Sequence, residues 1–459
     1  MVVPQEGTME LTWDQDQEKN LTQMPGPKGI ELYVMGYLFQ KRPLYVWGMM
    51  KETFGDVIYA PWKNRESIFL FNPEDVNYVL KEHHVNFKKG KEYEQMAPLL
   101  GEGLLTSEGD LWRRQRRIMA KEFHQARTEQ YLRAIHESTQ KKIIEMKSRE
   151  KAFDISLDFN ALTFDIAGKI FFGSDLGEHS KMAQEALYTE TERINTRIRR
   201  IWNFPHNFPT AENKKGMKAV RDLKSIVTGI LSQGGHDQKP NVLSKLVSYR
   251  DESGNPLPNN LISDEVMTLL LAGHETTSNG LSWATYLLAK NPEWILKIKN
   301  ELRDYGKTPE ELCREDLDNL PLLKAVWQEA LRIFPPIPII ARQTIKDDVI
   351  GGYHVPAGKS VMCVPYVTHR DPRFWVKPDE FMPERFINRV VSRDDCTYFP
   401  FAKGPRACIG EDLATTEGVL ILAYLAHYFD WNLKKGFIAK PTHHITLRSE
   451  NGIWIQLNN

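Results

Sequence analysis

A chain of 459 residues with 41% hydrophobic side chains can bury a substantial core, which excludes a disordered tail. Lysine plus arginine equals aspartate plus glutamate at 60 each, so the charge balance carries no footprint of nucleic acid or of an acidic partner. Four scattered cysteines (Cys313, Cys363, Cys396 and Cys408), none in a C-x-x-C pair, exclude a disulfide framework and argue against zinc; a reducing, cytoplasmic compartment is expected.

Residues 1–23 are polar and acidic, without the basic flank and apolar run of a signal peptide. They are expected to form a flexible arm ahead of one domain over residues 24–459. No apolar run reaches the roughly 18 residues that a membrane span needs. Residues 30–50 are apolar but broken by Gln40-Lys41-Arg42-Pro43, which makes shallow contact with a membrane surface the second reading, behind plain solubility. β-branched and aromatic residues over 56–71 predict a hairpin. Asn72-Pro73-Glu74-Asp75 reads as a capped helix start, followed by Val76, Val79 and Leu80 at helical spacing. His83 and His84 close that helix, and adjacent residues on a helix cannot both face one metal. Residues 86–106 read as loop, with Gly90, Pro98, Gly101 and Gly103.

Trp112 and Arg116 are four apart and share one helical face, while Arg113 and Arg117 form a parallel stripe. Helical patterns fill residues 125–231, and loops lie at 234–240 and 254–258. Ser263-Asp264-Glu265 predicts the start of a long helix, a capping hydroxyl and then carboxylates at the positive end, with a stop at Pro292. Inside it, Ala272-Gly273-His274-Glu275-Thr276-Thr277 places a glycine and two threonines that weaken a helix, because threonine hydroxyls turn back to carbonyls one turn earlier. That local cost points to function. Residues 320–332 are again helical, with Glu329 and Arg332 spaced to pair along one face.

The most informative stretch is Phe401-Ala402-Lys403-Gly404-Pro405-Arg406-Ala407-Cys408-Ile409-Gly410, directly before a helical run over 409–428. The N–H groups and positive end of that helix are expected to favour the thiolate of Cys408, the form that ligates metal. Gly404 and Gly410 allow sharp turns and close approach of a flat ligand, and Arg406 suits a carboxylate on its rim. The stretch reads F-x-x-G-x-R-x-C-x-G and resembles the haem-binding motif of the cytochrome P450 family.

Other motifs carry the same resemblance in the family's order, over about residue 25 to the C-terminus. Trp112 and Arg116 match W-x-x-x-R, which implies contacts to the haem propionates. Ala272–Thr277 matches A-G-x-D/E-T-T, which implies that Glu275 and Thr276 pass protons toward dioxygen. Glu329 and Arg332 match E-x-x-R, joined by Arg385 of P-E-R-F in a buried structural network. The resemblance further implies that Arg342 takes a propionate and that Thr268, Leu271, Ala272, Ile337, Ile339 and Ile340 line the substrate pocket. It makes residues 204–209 a lid loop, His369 structural, and His274 a residue that points away from iron.

The resemblance as a whole implies a mainly α fold with a small β portion around one haem b, with Cys408 as axial thiolate and dioxygen as co-substrate. The implied reaction is hydroxylation or epoxidation of an apolar small molecule of the fatty acid, terpenoid or steroid class. No flavin or nucleotide domain is read after the haem domain, so electrons are expected from a separate ferredoxin, flavodoxin or flavoprotein reductase. The Arg113–Arg117 stripe is either a solvated face or a docking patch for that carrier. A monomer without nucleic acid or transmembrane anchor is expected. Glu275 and Thr276 weigh against a haem-thiolate isomerase or peroxygenase on the same scaffold, and a non-enzymatic haem sensor is the third alternative.

Overall fold

The computed structural model describes residues 19–62, 65–173, 179–200, 203–232, 241–387 and 395–458. Residues 1–18 of the expected arm and the loop at 234–240 lie outside them. The chain starts with β1 (Lys19–Asn20), then α1 (Gly29–Lys41) and α2 (Pro43–Phe54), divided where Pro43 opens the second helix. The predicted hairpin is β2 (Val57–Trp62) and β3 (Arg65–Leu70), paired antiparallel from Val57 opposite Leu70. α3 (Pro73–Asn77) begins under Asn72, whose side chain accepts the Glu74 N–H. Part of the segment read as loop is ordered into β4 (Phe87–Lys89) and α4 (Ala97–Leu100), ahead of α5 (Gly109–Ala120).

The helical half continues as α6 (Gln125–Lys147), β5 (Phe153–Asp154), α7 (Ile155–Phe172), α8 (His179–Arg199), α9 (Ala211–Ser232) and α10 (Val242–Ser248). Next come α11 (Asn259–Lys290), α12 (Pro292–Tyr305), α13 (Arg314–Asp318) and α14 (Pro321–Ile333). β6 (Ile340–Thr344), β7 (Asp348–Ile350), β8 (Tyr353–Val355) and β9 (Ser360–Cys363) return to the sheets. After the short α15 (Pro365–Thr368) and α16 (Glu384–Ile387), α17 (Glu411–Tyr428) leads to β10 (Asp430–Leu433), β11 (Pro441–His443), β12 (Leu447–Ser449) and β13 (Trp454–Asn458). The fold is mainly helical with small sheets, as the sequence predicts. The largest sheet has the order β2-β3-β9-β6-β4, with β3 and β9 parallel and the other neighbours antiparallel.

α11 runs through the core against α7, α14 and α17. It approaches α17 closely because Trp327 of α14 lies against bare backbone on both. A Cβ at Gly280 would stand 2.7 Å from the indole, and one at Gly418 2.6 Å from it.

Two expectations need correction. Lys19 and Asn20 pair in parallel with Tyr353 and His354, and Leu21 and Met24 are buried, so residues 19–23 belong to the fold and not to an arm. Backbone pairing of this kind needs no apolar side chain and left no pattern to read. α11 begins at Asn259, after extended Pro258, one turn before Ser263. The apolar interruption of residues 30–50 takes the form of α1 and α2, and Ile30, Tyr33, Val34 and Tyr37 are exposed along one face of α1.

Candidate active site

The cysteine loop is built by backbone bonds. Gly404 has φ +73°, and a Cβ there would come within 2.0 Å of the Leu80 carbonyl, so glycine is required by both conformation and space. Ala407 N–H closes a turn onto the Gly404 carbonyl at 3.0 Å, and Cys408 N–H donates to the Phe401 carbonyl at 2.8 Å. Gly410 caps α17 at φ −90°, where any residue fits, and a Cβ there would meet Cys408 Sγ and Phe123 only at an ordinary 3.9 Å. Its backbone conformation does not demand glycine, and Gly410 faces the cavity.

Cys408 is open to a cavity of about 450 Å³ yet lies deep in the protein. Burial pushes its thiol above the ordinary value, the Gly410 N–H opposes this, the Glu411 carboxylate adds to it and the Arg116 guanidinium opposes it. In the protein alone, desolvation of the charged form outweighs the groups that favour the thiolate.

That cavity collects most of the predicted residues. Phe401, Arg406, Cys408 and Gly410 line one wall, and Thr268, Leu271, Ala272, Glu275 and Thr276 of α11 line another. Ile337, Ile339, Ile340 and Arg342 form a third, with Trp112 and Arg116 of α5 beside them. Gly404 is not on the wall; it packs against Leu80. The loop 204–209 adds nothing to the wall either, since Phe204 stacks on Phe208 at 4.6 Å instead. Phe39, Trp47, Trp62 and Phe69 also line the cavity.

One edge of the cavity is cationic. Among the described residues Arg116 has no hydrogen-bond or ion-pair partner, and Arg342 donates only to the Ala341 carbonyl at 2.9 Å. Arg406, expected to meet a ligand carboxylate, instead holds Glu108 with both terminal nitrogens at 2.5 Å and stacks 5.0 Å over the Trp112 ring. Only its Nε has no partner among the described residues. Glu108 also accepts the Lys89 N–H at 2.7 Å. The Lys89 ammonium donates to the carbonyls of Leu104 and Ser107, and burial lowers its pKa to about 7. Lys89 and Glu108 carried no signal in the sequence, because their partners come from distant elements. The edge thus sets Lys89, Arg116, Arg342 and Arg406 against the carboxylate of Glu108. Unpaired cations on one side and a sulfur open to the same space fit a flat, iron-centred ligand with acidic substituents.

On α11 the Thr276 hydroxyl donates to the Ala272 carbonyl at 2.8 Å, the back-bond predicted for a mid-helix threonine, and the helix stays continuous through it. Glu275 accepts from the Thr446 hydroxyl at 2.6 Å, which in turn accepts from Asn279 at 3.1 Å. His274 faces away: its Nδ1–H donates to the Leu270 carbonyl at 2.6 Å and its ring meets Phe164 edge-on. Asp264 and Glu265, expected as helix-start carboxylates, instead accept the N–H groups of Glu102 at 2.9 Å and Leu104 at 3.0 Å. They hang the loop 101–104 from α11. Burial raises the Glu265 carboxyl to about 7, the Leu104 N–H opposes this, Asp264 adds to it and Lys89 opposes it.

Behind the cysteine loop, Arg332 and Glu329 are fully buried. Arg332 Nε and Nη2 hold the two Glu329 oxygens at 2.7 and 2.8 Å. Its remaining N–H groups reach the carbonyls of His369, Pro378 and Glu380 at 2.8, 2.7 and 3.2 Å. Glu329 also accepts from Arg385 Nε at 3.2 Å and from the Met382 N–H at 3.0 Å. His369 Nε2 accepts the Phe399 N–H at 2.9 Å, which ties this network to the segment entering the cysteine loop. The predicted trio is together, and none of it lines the cavity.

A family model for cytochrome P450 matches residues 24–455. The chain is similar to cytochrome P450 4V2 of Homo sapiens, 32% identical over 422 residues that cover 85% of this chain and 80% of that protein. It is also similar to cyclooctatin synthase of Streptomyces melanosporofaciens, 30% identical over 408 residues that cover 87% of this chain and 88% of that one. The crystal structure of a mutant cytochrome P450 haem domain superposes with a TM-score of 0.83 at 23% identity, over 95% of this chain and 97% of the other, a likeness of fold. With a sulfur-bearing loop, a long central helix and a buried acid–arginine network in one fold that the family model spans almost end to end, the chain belongs to the cytochrome P450 family.

Proposed function

We propose that this protein is a haem-thiolate monooxygenase that inserts one atom of dioxygen into an apolar small molecule. The second atom leaves as water, with two electrons and two protons drawn from outside. The observation that carries this reading is a single cavity lined by Cys408 on one side and by Glu275 and Thr276 on another. Haem b bound through Cys408 supplies the redox chemistry and the activation of dioxygen. Arg116, Arg342 and the free Nε of Arg406, with Lys89, hold its acidic edge.

The residues of α11 manage protons. Thr276 directs its own O–H at the Ala272 carbonyl, so its oxygen accepts a hydrogen bond from water in the cavity and orients it. Glu275, held by Thr446, presents its second oxygen as the group that takes up and releases a proton. The apolar walls exclude bulk water and suit a substrate of fatty acid, terpenoid or steroid type. Electrons arrive from a separate ferredoxin, flavodoxin or flavoprotein reductase. Arg113, Arg114 and Arg117 are exposed on α5 and offer an acidic carrier a docking face close to the cationic edge.

Turnover under isotopically heavy dioxygen tests the reaction: the product gains one heavy atom, whereas an isomerase or a sensor yields none. Thr276→Ala should keep oxygen consumption and lower product per electron pair. Unchanged coupling rejects the role of Thr276.

A further inference from the structure

The cavity holds one more charge, which the proposed mechanism does not use. Arg199, the last residue of α8, lines it together with Asn195, His443 and His444. Its Nε and Nη2 are shut off from solvent and have no hydrogen-bond partner among the described residues. These two nitrogens share one edge of the guanidinium, and their N–H bonds run parallel, matched to the two oxygens of a carboxylate. This chain uses that edge for a carboxylate twice elsewhere. Arg332 holds Glu329 at 2.7 and 2.8 Å, and Arg193 holds Glu190 at 2.8 and 2.5 Å.

No acid among the described residues fills the edge of Arg199. Glu192 is close enough to act on it electrostatically, but its carboxylate is taken by Arg448 and by His444, the latter at 3.1 Å. His443 brings no competing charge, because burial, together with the charges of Arg199 and His444, lowers its pKa to about 3. A guanidinium does not shed its proton, so a buried edge without a partner is costly until a ligand supplies the counter-charge.

We propose that the substrate carries a carboxylate that docks on the Nε–Nη2 edge of Arg199, its apolar body lying along the cavity that Cys408 also lines. The inference rests on the monooxygenase reading and narrows its substrate class from apolar molecules in general to apolar acids.

The holoenzyme tests it. Palmitic, abietic and lithocholic acids, which vary the skeleton and keep the head, are each titrated against their methyl esters, with binding read from the shift of the haem absorption band. For at least one skeleton the acid should bind about tenfold or more tighter than its ester. Arg199→Gln should abolish that preference by weakening the acid and not the ester, and Arg199→Lys, which keeps the charge without the fork, should fall between. Equal binding of acids and esters, no binding of any acid, or a preference that survives Arg199→Gln overturns the proposal. A holoprotein that shows the red-shifted carbon monoxide absorption of thiolate-bound haem but no acid preference sinks this inference alone. Loss of that absorption, which does not involve Arg199, sinks the monooxygenase reading and this inference with it.

Discussion

Arg332→Lys separates charge from geometry in the buried network. Lysine keeps the positive charge beside Glu329, so a purely Coulombic account expects little change. The arginine, however, spends all five N–H groups, two on Glu329 and three on the carbonyls of His369, Pro378 and Glu380. Lysine has three donors on one nitrogen, so at least two acceptors go without. Hydrogen bonds from a charged donor contribute about 1.5–3 kcal/mol each, which puts the loss at roughly 3–6 kcal/mol. An ordinary domain has about 5–15 kcal/mol in all. The measurement is urea unfolding of the holoprotein, tracked in parallel by far-ultraviolet circular dichroism and by the carbon monoxide absorption of thiolate-bound haem. With a denaturant dependence of about 3 kcal/mol per molar, the midpoint should fall by about 1–2 M. The haem signal should fall first, because the network reaches the cysteine segment through His369 and Phe399. A lysine variant with the parent midpoint refutes the donor accounting.

Gly418→Ala should cost about 1–3 kcal/mol, because the new Cβ meets three atoms of the Trp327 ring at 2.6–2.7 Å in a packed core; a thermal midpoint unchanged from the parent would count against the seam. Glu265→Gln should shift the pH dependence of stability. The folded carboxyl has its pKa raised to about 7, so its contribution is complete below the unfolded value near 4.5 and is lost as pH rises through 7. Glutamine keeps an acceptor for the Leu104 N–H and does not titrate. Relative to the parent, the variant should therefore gain roughly 2–3 kcal/mol between about pH 5 and about pH 8 in urea midpoints. A difference independent of pH would refute the assignment.

Features written in one short stretch were legible. The cysteine loop, the glycine and threonines of α11 and the Glu329–Arg332 spacing each combine local conformation with chemistry. So did the hairpin and the Asn72 cap, which depend on neighbours in sequence. What escaped are contacts between distant segments. Arg406 lies 298 residues from Glu108, and no local pattern says that this acid will occupy it before any ligand does. The carboxylates at 264 and 265 looked like helix-start residues because they often are; here loop N–H groups from residues 102 and 104 claimed them and α11 began a turn earlier. Arg199 gave no sign because its distinction is an unfilled edge, and that is visible only once every other charge around it has been placed.

The grip of Arg332 on main-chain oxygens also bears on how this protein is able to vary. A carbonyl is the same whatever side chain hangs beside it, so positions 378 and 380 are open to almost any residue while the strand of chain they belong to stays moored in one course. Divergence there would erase likeness in letters and leave the shape beneath the sulfur unaltered, so long as one guanidinium survives to hold it.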